Sequence, residues 1–428
     1  RGEPSPFVLA TTNKLTGGSR IPALADAGIS AGIESLVRDG ARVGLVGDSI
    51  TYTNTSVGVA NNLLYYGNGY FGWALALLGL NPSIVYNGGV GGETTAMFAD
   101  QLAAAIAAGC DVIFYMGGTN NADGADMVRL ALADYESAYE TCRQEGVFFY
   151  ALTPIAKNAD TTTKAGRYRA LAAKIMSRFS NRPDSHAADT QAAVYDYTAN
   201  DWKTNYTYDG THPGSLGGYY MGKAIYTATV ARIDKPKNPV LAATNDDYRS
   251  TDAGSNQVLA NPMLTGTSGT KGAGCSGSAA ASWSAVCTGG AVAVFSKEAD
   301  PDGLGEIQVI EITASAAGEM TFYQALATTF AVGDQLQAAV EMVLDASPTG
   351  LDNVKLEVSH SPTQKATWGA KTGNTTAVFD EGFSITPTIR PDVTVITGTT
   401  GAGQASIVMS FKTAGSATLR VKYPTLRV

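Results

Sequence analysis

The sequence has few basic residues and no long apolar run. Lys and Arg together number 30 against 38 Asp and Glu, which gives a formal net charge of −8 over 428 residues. This balance, without any basic cluster, argues against nucleic acid or an anionic membrane surface as a partner. No stretch of about eighteen apolar residues occurs, so the sequence predicts no transmembrane helix.

Cysteine is equally scarce, and the 4 cysteines are too few for a disulfide scaffold. Cys110 and Cys142 fall near the ends of predicted helices, where a buried thiol is the expected state. Cys275 and Cys287 lie in a segment rich in Gly, Ser and Ala. They could bridge a hairpin or remain reduced, because sequence does not fix connectivity. Neither pair has zinc-ligand spacing with nearby histidines, so no metal site is predicted.

Hydrophobic residues make up 44% of the chain, and the length favours two domains. Residues 1–40 are interpreted as a connector with one short helix, Ala31–Val37. Over residues 41–236, apolar runs alternate with helix-like stretches, which predicts a three-layer α/β/α domain around a parallel sheet. The predicted strands are Val43–Val46, Ile84–Tyr86, Val112–Met116, Val147–Leu152 and Ala192–Tyr195, and the predicted helices are Tyr70–Leu78, Thr95–Ala108, Ala125–Glu145, Lys164–Phe179 and Leu216–Ile233.

The composition changes after this domain. Residues 237–260 are interpreted as a linker, within the passage Lys235–Asn261 that carries Pro236 and Pro239. From residue 261 to residue 428 helical periodicity nearly vanishes, and short alternating segments rich in Thr, Val, Ser and Gly take its place. About eight such segments, separated by turn residues, predict an all-β sandwich of the jelly-roll type.

A candidate nucleophile follows the first predicted strand. Arg42–Val46 is apolar enough for a central parallel strand, and Gly47 ends it with a sharp turn. Ser49 then lies just beyond the C-terminal edge of the sheet, where open α/β sheets bind their ligands. A serine hydroxyl at this position needs a base to accept its proton before it can attack a substrate.

The chain has 3 histidines, so the candidate bases can be compared one by one. His360 falls on a predicted loop of the β region, and His186 on a polar loop before the last strand. Both are interpreted as surface histidines. His212 follows the last strand and therefore shares the sheet edge with Ser49. Asp209, three residues earlier, can accept the Nδ1 proton of His212 and leave Nε2 free for the serine.

Two further strand ends offer hydrogen-bond donors for a developing oxyanion. The glycine-rich turn Asn87–Thr94 exposes backbone N–H groups. A phosphate cradle is the alternative, but no Gly-x-Gly-x-x-Gly pattern follows the first strand. Asn120 follows the third strand and either donates its side-chain amide or serves as a turn residue.

Four blocks of the sequence resemble the SGNH (GDSL-like) hydrolase family. They are Gly47–Thr51, Asn87–Thr94, Gly118–Asn120 and Asp209–Pro213. The resemblance implies a flavodoxin-like catalytic domain that needs no cofactor. It also implies a serine ester hydrolase with Ser49, His212 and Asp209 as catalytic residues and an oxyanion hole built from the N–H groups of Ser49 and Gly92 and the side chain of Asn120. The third block usually continues with Asp, and here Asn121 follows.

The loops near the predicted site are polar and aromatic, which suits sugar rings that stack on aromatic faces. Tyr52, Tyr70, Trp202 and Tyr208 are the candidate substrate contacts. The β region resembles carbohydrate-binding jelly rolls attached to esterase modules in phage tail proteins. This second resemblance implies an acetylated polysaccharide substrate of the capsule or O-antigen type, an extracellular or virion-surface location and a homotrimer. The alternatives are a lipid or thioester hydrolase of the same fold and a carbohydrate-binding adhesin without turnover.

Overall fold

The structure is a computed structural model. It describes residues 41–57, 63–80, 83–158, 160–232, 241, 257–326, 336–361, 364–370, 379–389 and 403–427. The predicted connector over residues 1–40, with its helix Ala31–Val37, lies outside these residues, as does most of the predicted linker.

Residues 41–232 alternate between strands and helices. The strands are β1 (Arg42–Gly47), β2 (Thr55–Val57), β3 (Leu63–Tyr66), β4 (Ser83–Asn87), β5 (Val112–Met116), β6 (Phe148–Leu152), β7 (Ser185–Ala188), β8 (Tyr195–Asp196) and β9 (Asp201–Trp202). The helices are α1 (Ser49–Tyr52), α2 (Tyr70–Leu78), α3 (Ala99–Ala107), α4 (Met127–Gln144), α5 (Thr162–Phe179), α6 (Thr190–Val194) and α7 (Ser215–Thr229), with 3₁₀ turns at Thr95–Met97 and Val230–Arg232.

The first sheet has the order β4-β1-β5-β6-β7, and each neighbouring pair is parallel. In chain order these strands run second, first, third, fourth and fifth, which is the flavodoxin-like arrangement. Side chains that alternate along β5 and β6 divide the interior. Phe114 and Tyr150 stack in the core shared with α2 and α7, whereas Tyr115 and Phe149 face the core shared with α3, α4 and α5. The predicted three-layer fold is therefore confirmed.

The fifth strand is not where the sequence placed it. Most of the predicted strand Ala192–Tyr195 lies in α6 (Thr190–Val194), whose first turn is capped by the Asp189 side chain accepting from Ala192 N. The fifth strand is instead β7, whose sequence Ser-His-Ala-Ala carries no bulky apolar residue. His186 lies in this strand and is only 4% exposed. Its ring nitrogens contact the carbonyl oxygens of Ser180 and Ala228, so the surface-histidine prediction is wrong.

The described residues from 257 onward form strands almost throughout. The strands are β10 (Ser268–Lys271), β11 (Cys275–Gly277), β12 (Ala279–Ala299), β13 (Glu306–Ala325), β14 (Gln337–Leu344), β15 (Leu351–Ser361), β16 (Gln364–Ala370), β17 (Phe383–Ile385), β18 (Thr388–Ile389), β19 (Gln404–Phe411) and β20 (Gly415–Arg427). His360 thus falls within strand β15 and not on the predicted loop. Its side chain lies outside the described residues.

The two long strands β12 and β13 curl the sheet of this region into a sandwich-like shape. The first half of β13 pairs with β20 and the second half with β19, while β12 runs along the other side of both halves. The register shifts between Gly289 and Ala291, where the strands bend. A Cβ on Gly318 would approach Ala291 N to 2.7 Å, so only glycine fits opposite the bend. The expected all-β domain is confirmed, with strands longer than the sequence predicted.

The two sheets meet through a hairpin of the α/β domain. Strand β2 pairs with β3, and β3 adds in parallel to β16 at the edge of the β region. Behind this pairing, Trp73 of α2 packs edge-on against Trp368, Phe379 and Phe383. The Trp368 indole also donates to Gly72 O at 3.3 Å. The joint therefore combines backbone pairing with a buried aromatic cluster.

Three of the four cysteines are buried thiols. Burial raises the pKa of Cys110 to about 12, and Cys142 is fully buried, as the sequence predicted for this pair. Cys275 and Cys287 lie on the neighbouring strands β11 and β12 with their sulfur atoms 3.5 Å apart, and no bond joins them. Burial raises the pKa of Cys287 to about 12.

Candidate active site

The first strand end positions Ser49 at the start of α1. A Cβ on Gly47 would lie 2.2 Å from Thr51 Oγ1 and 2.5 Å from Met116 O, so the close turn after β1 requires glycine. Asp48 caps the helix, because its Oδ1 accepts from Ile50 N at 3.0 Å. The chain thus turns at once from a buried strand to a serine at the sheet edge.

Ser49, His212 and Asp209 form a continuous hydrogen-bonded series. Ser49 Oγ lies 2.8 Å from His212 Nε2, and His212 Nδ1 lies 2.7 Å from Asp209 Oδ2. Burial alone would raise the pKa of Asp209, but hydrogen bonds from the His212 side chain and from the N–H groups of His212 and Thr211 hold it below its ordinary value. An ionised carboxylate therefore faces the imidazole. This geometry allows His212 to accept the Ser49 proton.

The loop that carries His212 is held by its own short contacts. Asp209 Oδ1 accepts from Thr211 N at 2.9 Å and from His212 N at 2.7 Å. Gly210 between them has φ +81, a left-handed conformation that favours glycine. The ring of Tyr208 stacks on the imidazole at 5.8 Å between centroids. Stacking on one ring face and hydrogen bonds at both ring nitrogens thus restrain the orientation of His212.

The glycine-rich turn after β4 leaves open space beside the serine. A Cβ placed on Gly91 would lie 3.9 Å from Ser49 Cβ, and a Cβ on Gly92 would meet nothing within 4 Å. Gly92 has φ +82, which a residue with a side chain would rarely adopt. Gly89 packs directly on the backbone of Tyr52, so it is structural. The turn therefore brings backbone N–H groups to the same edge as Ser49.

The side chain of Asn120 reaches this turn from the end of β5. Its Nδ2 donates to Glu93 O at 3.0 Å, and its Oδ1 accepts from Lys157 Nζ at 2.9 Å. The neighbouring Asn121 accepts from Thr95 N and donates to Thr95 Oγ1, so it supports the loop. The Asn that replaces the usual Asp of this block thus has full local hydrogen bonding.

Asp48 is a buried carboxyl group directly before the serine. It has no exposed surface, and burial raises its pKa to about 6 even though Ile50 N–H and the charges of His212 and Lys157 act in the opposite direction. Within the described residues, Asp48 Oδ2 is a buried oxygen without a hydrogen-bond partner. An ionised Asp48 is therefore costly to the folded state.

Of the four predicted substrate contacts, two have accessible side chains. Tyr52 is 58% exposed at the end of α1, and Tyr208 is half-buried against His212. The prediction is wrong for Tyr70, which is fully buried with its hydroxyl 3.2 Å from Thr51 Oγ1, and for Trp202, which is 5% exposed. Both rings pack the core behind the site and cannot stack on a sugar.

Lys157 is a site residue that the sequence reasoning missed. It lies on the loop after β6, a strand end at the same sheet edge as the other candidates. Open α/β sheets bind ligands beyond the carboxyl ends of their strands, and this holds for the end of β6 as well as for the first, second, third and last strand ends. A lone lysine in Pro-Ile-Ala-Lys-Asn carries no motif, so the chain alone gave little reason to choose it.

The described residues contain no group of three or more His, Cys, Asp or Glu side chains that could hold a metal ion. Among the described helices, none is long and apolar enough to cross a membrane.

A comparison with known protein families finds one that matches the segment containing these site residues. Residues 45–218 match the GDSL-like Lipase/Acylhydrolase family. The matched segment runs from within β1 to the first residues of α7. It contains Ser49, Gly92, Asn120, Asp209 and His212. The family-level part of the sequence resemblance is thereby confirmed for this segment, and the match supports an esterase.

Three solved structures similar to this chain each cover less than half of it. An acetylxylan esterase, Axe2 from Geobacillus stearothermophilus, aligns at 19% identity and TM-score 0.36, covering 45% of this chain and 95% of its own. A putative acylhydrolase from Bacteroides fragilis aligns at 14% identity and TM-score 0.34, covering 46% and 92%. A putative lipolytic protein of the G-D-S-L family from Desulfitobacterium hafniense aligns at 12% identity and TM-score 0.36, covering 44% and 99%. The comparison with curated proteins gave no match.

Proposed function

We propose that this protein is a serine esterase that releases O-acetyl groups from a polysaccharide. The observation that carries the catalytic half of the proposal is the series from Ser49 Oγ through His212 to Asp209, at 2.8 Å and 2.7 Å. A serine needs an oriented base to become a nucleophile, and this imidazole is oriented by a carboxylate that is itself held by two backbone N–H groups.

The reaction follows from these positions. His212 Nε2 takes the Ser49 proton while Oγ attacks the ester carbonyl, and the carbonyl electrons move onto the oxygen. The N–H groups of Ser49 and Gly92 and the Asn120 amide hold that oxyanion. Collapse expels the sugar hydroxyl, which takes its proton from the imidazolium and leaves an acetyl-serine. Water, deprotonated by His212, then attacks the acetyl carbonyl. The bond between the acyl carbon and Ser49 Oγ breaks, Oγ takes the proton back from His212, and acetate is released.

The accessible surface around Ser49 supports a sugar as the leaving group. Tyr52 presents an exposed ring next to the nucleophile, and Tyr208 presents a half-buried one beside His212. Aromatic faces of this kind stack on the C–H faces of pyranose rings. The open space at Gly92 admits a bulky group near the serine. In this proposal the β region binds the polysaccharide, and the protein acts as a homotrimer outside the cell or on a virion surface.

A lipid or thioester hydrolase is the second candidate. Val90 and Met97, on the turn and 3₁₀ segment beside the site, are 46% and 54% exposed. Such side chains could accept a longer acyl chain. Hydrolysis rates for p-nitrophenyl acetate and p-nitrophenyl octanoate separate the two candidates, since a strong preference for octanoate contradicts the acetylesterase proposal.

The direct test measures acetate released from a panel of acetylated polysaccharides. We expect release from at least one polymer by the wild-type protein and none by Ser49→Ala. Ser49→Ala should still bind that polymer, because the hydroxyl contributes to turnover and not to the aromatic surface. Binding by both proteins with no acetate from either would show an adhesin and overturn the proposal.

A further inference from the structure

Lys157 touches the oxyanion-hole amide from the side opposite the turn. Its Nζ donates to Asn120 Oδ1 at 2.9 Å, while Asn120 Nδ2 donates to Glu93 O at 3.0 Å. An ammonium group has only donors, and a carbonyl oxygen is only an acceptor. The two contacts therefore require the same orientation of the amide. A flipped side chain would bring donor to donor and acceptor to acceptor.

This orientation leaves one hydrogen of Asn120 Nδ2 uncommitted. The amide nitrogen carries two hydrogens, and Glu93 O accepts one of them. In the proposed mechanism, the other hydrogen donates to the oxyanion formed at Ser49. A positive charge on the carbonyl end of the amide also draws electron density from the nitrogen, which makes the remaining N–H a stronger donor.

We propose that Lys157 is a positioning residue of the esterase, which fixes the Asn120 amide and polarises it toward the oxyanion. This inference rests on the proposed function, because it assigns a role within the same site. Lys157 acts through Asn120 and does not itself touch the reacting atoms.

The loop that carries Lys157 is rigidly placed between the two halves of the site. Lys157 N donates to Asp160 Oδ2 at 2.8 Å. Toward the Asn120 loop, Thr119 Oγ1 donates to Ile155 O at 3.0 Å. Toward the His212 loop, Asn158 N donates to Gly210 O at 2.9 Å. The backbone from which the lysine side chain reaches Asn120 is therefore fixed relative to both neighbouring loops.

The Lys157 ammonium group also interacts with a carboxyl group. The Lys157 charge acts to lower the pKa of Asp48, the carboxyl group buried behind the serine. The ammonium group therefore acts on Asp48 through its charge and on Asn120 through a hydrogen bond. This placement explains why a charged side chain is kept partly buried in a site whose chemistry does not consume it.

The test is a double-mutant cycle with p-nitrophenyl acetate as the substrate. We expect Lys157→Met to lower kcat about 10–100-fold with little change in KM, since a positioning residue should cost less than the roughly 100–1000-fold loss of a hole donor. Lys157→Arg should restore most of the rate. In an Asn120→Ala background, Lys157→Met should cost less than about twofold, because its target is gone. An undiminished loss in that background overturns the proposal.

Lys164→Met is the matched control for charge and loop support. Lys164 pairs with Asp160 at 2.8 Å, so its loss removes an equal charge and loosens the same loop without removing the contact to Asn120. A loss as large as that of Lys157→Met would indicate loop support alone and contradict the inference. Thermal denaturation of each variant checks that the fold is retained.

A second readout separates this inference from the proposed substrate. An organophosphonate labels the serine, and its phosphoryl oxygen occupies the oxyanion hole. If no polysaccharide releases acetate, the proposed function fails, but the labelling rates still test Lys157. Equal labelling rates for wild type and Lys157→Met overturn the inference, and a rate lowered about tenfold or more supports it.

Discussion

The two sheets of this molecule place their polar side chains in opposite ways. In the parallel sheet, β5 and β6 are buried at every position, so polar groups gather in the loops beyond the strand ends. In the β region, long strands such as β13 alternate between buried and exposed residues over much of their length. Polar side chains there are spread across a face and do not converge on a point.

The difference follows from strand direction. The carboxyl ends of parallel strands all meet at one edge, which brings together loops that are far apart in the sequence. An antiparallel hairpin sends its successive loops to opposite ends of the sheet. Ser49, Asn120, Lys157 and His212 follow four different strands, and they meet for this reason. The β region contributes the pairing with β3, which holds the hairpin that follows α1.

The largest expected effect comes from a substitution of Asp209. It tests whether catalysis depends on the loops at the carboxyl edge of the parallel sheet. In Asp209→Asn, the two backbone N–H groups that bind Oδ1 keep the amide oxygen in that position. The amide nitrogen then faces His212 Nδ1 and forces the wrong tautomer. We expect kcat for acetate release to fall by about 10⁴-fold, the size of such acid-to-amide changes in serine hydrolases.

Asp196→Asn is the control for this variant. Asp196 Oδ1 also accepts from backbone N–H groups two and three residues later, on Thr198 and Ala199. It has no catalytic partner. We expect its acetate release to stay within about twofold of wild type, consistent with an ordinary surface substitution. A comparable loss in both variants would point to loop structure and not to proton transfer.

The next effect concerns the joint between the sheets. Trp368 is 3% exposed and packs on Trp73 at 4.9 Å, so Trp368→Ala should destabilise the protein by about 3–5 kcal/mol. Since the lost contacts join the two regions, urea unfolding should split into two transitions. Trp283→Ala, which empties a site within the β region, should lower stability without that split. Two transitions in the wild type would show that the regions are not coupled.

Asp48 and Asp300 offer a comparison in pH dependence. Burial raises the folded pKa of Asp48 to about 6 from an ordinary 3.8, so the folded state binds the extra proton between these values. Stability should therefore fall as pH rises through this range. Asp48→Asn keeps the helix cap and should flatten the profile, with a gain on the order of 3 kcal/mol above pH 6.

Asp300 of the β region should show the opposite sign. Burial opposes its ionisation, but hydrogen bonds from the Tyr423 hydroxyl and from backbone N–H groups lower its pKa. Its ionisation stabilises the fold above the ordinary carboxyl pKa, and that contribution is lost as pH falls. Asp300→Asn should therefore lose stability at neutral pH. Urea denaturation from pH 2 to pH 8 compares both variants, because the Asp300 contribution is lost below its ordinary pKa of 3.8. Profiles of the same sign would refute the assignment.

The smallest expected effect comes from Tyr52. Tyr52→Ala should raise KM for the acetylated polysaccharide about 3–10-fold, as expected for one lost stacking contact. It should leave kcat on p-nitrophenyl acetate nearly unchanged. Tyr52→Phe keeps the ring and should bind like wild type. If Tyr52→Ala has no effect on the polymer, the β region alone holds the substrate.

The fold was predictable where local pattern and tertiary burial agree. Strand β5 and helix α2 have the boundaries that the sequence predicts, because an uninterrupted apolar run suits a central strand and glycine at 79 ends the helix. Strand β7 was not predictable. It lies at the edge of the sheet and has small and polar residues, and it becomes buried because α5 and α7 cover it.

The sequence by itself determined which functional groups follow the predicted strands, and in what order. These groups are a serine, a glycine-rich turn, an asparagine amide and an Asp-x-x-His segment. Only the tertiary structure decided which of the nearby aromatic side chains reach solvent. The same residue type is buried in the core at Tyr70 and exposed at the surface at Tyr52. It also decided that Lys157 meets Asn120. The physical reason is that side-chain contacts between strand ends depend on how four loops pack in space, which no periodicity along the chain records.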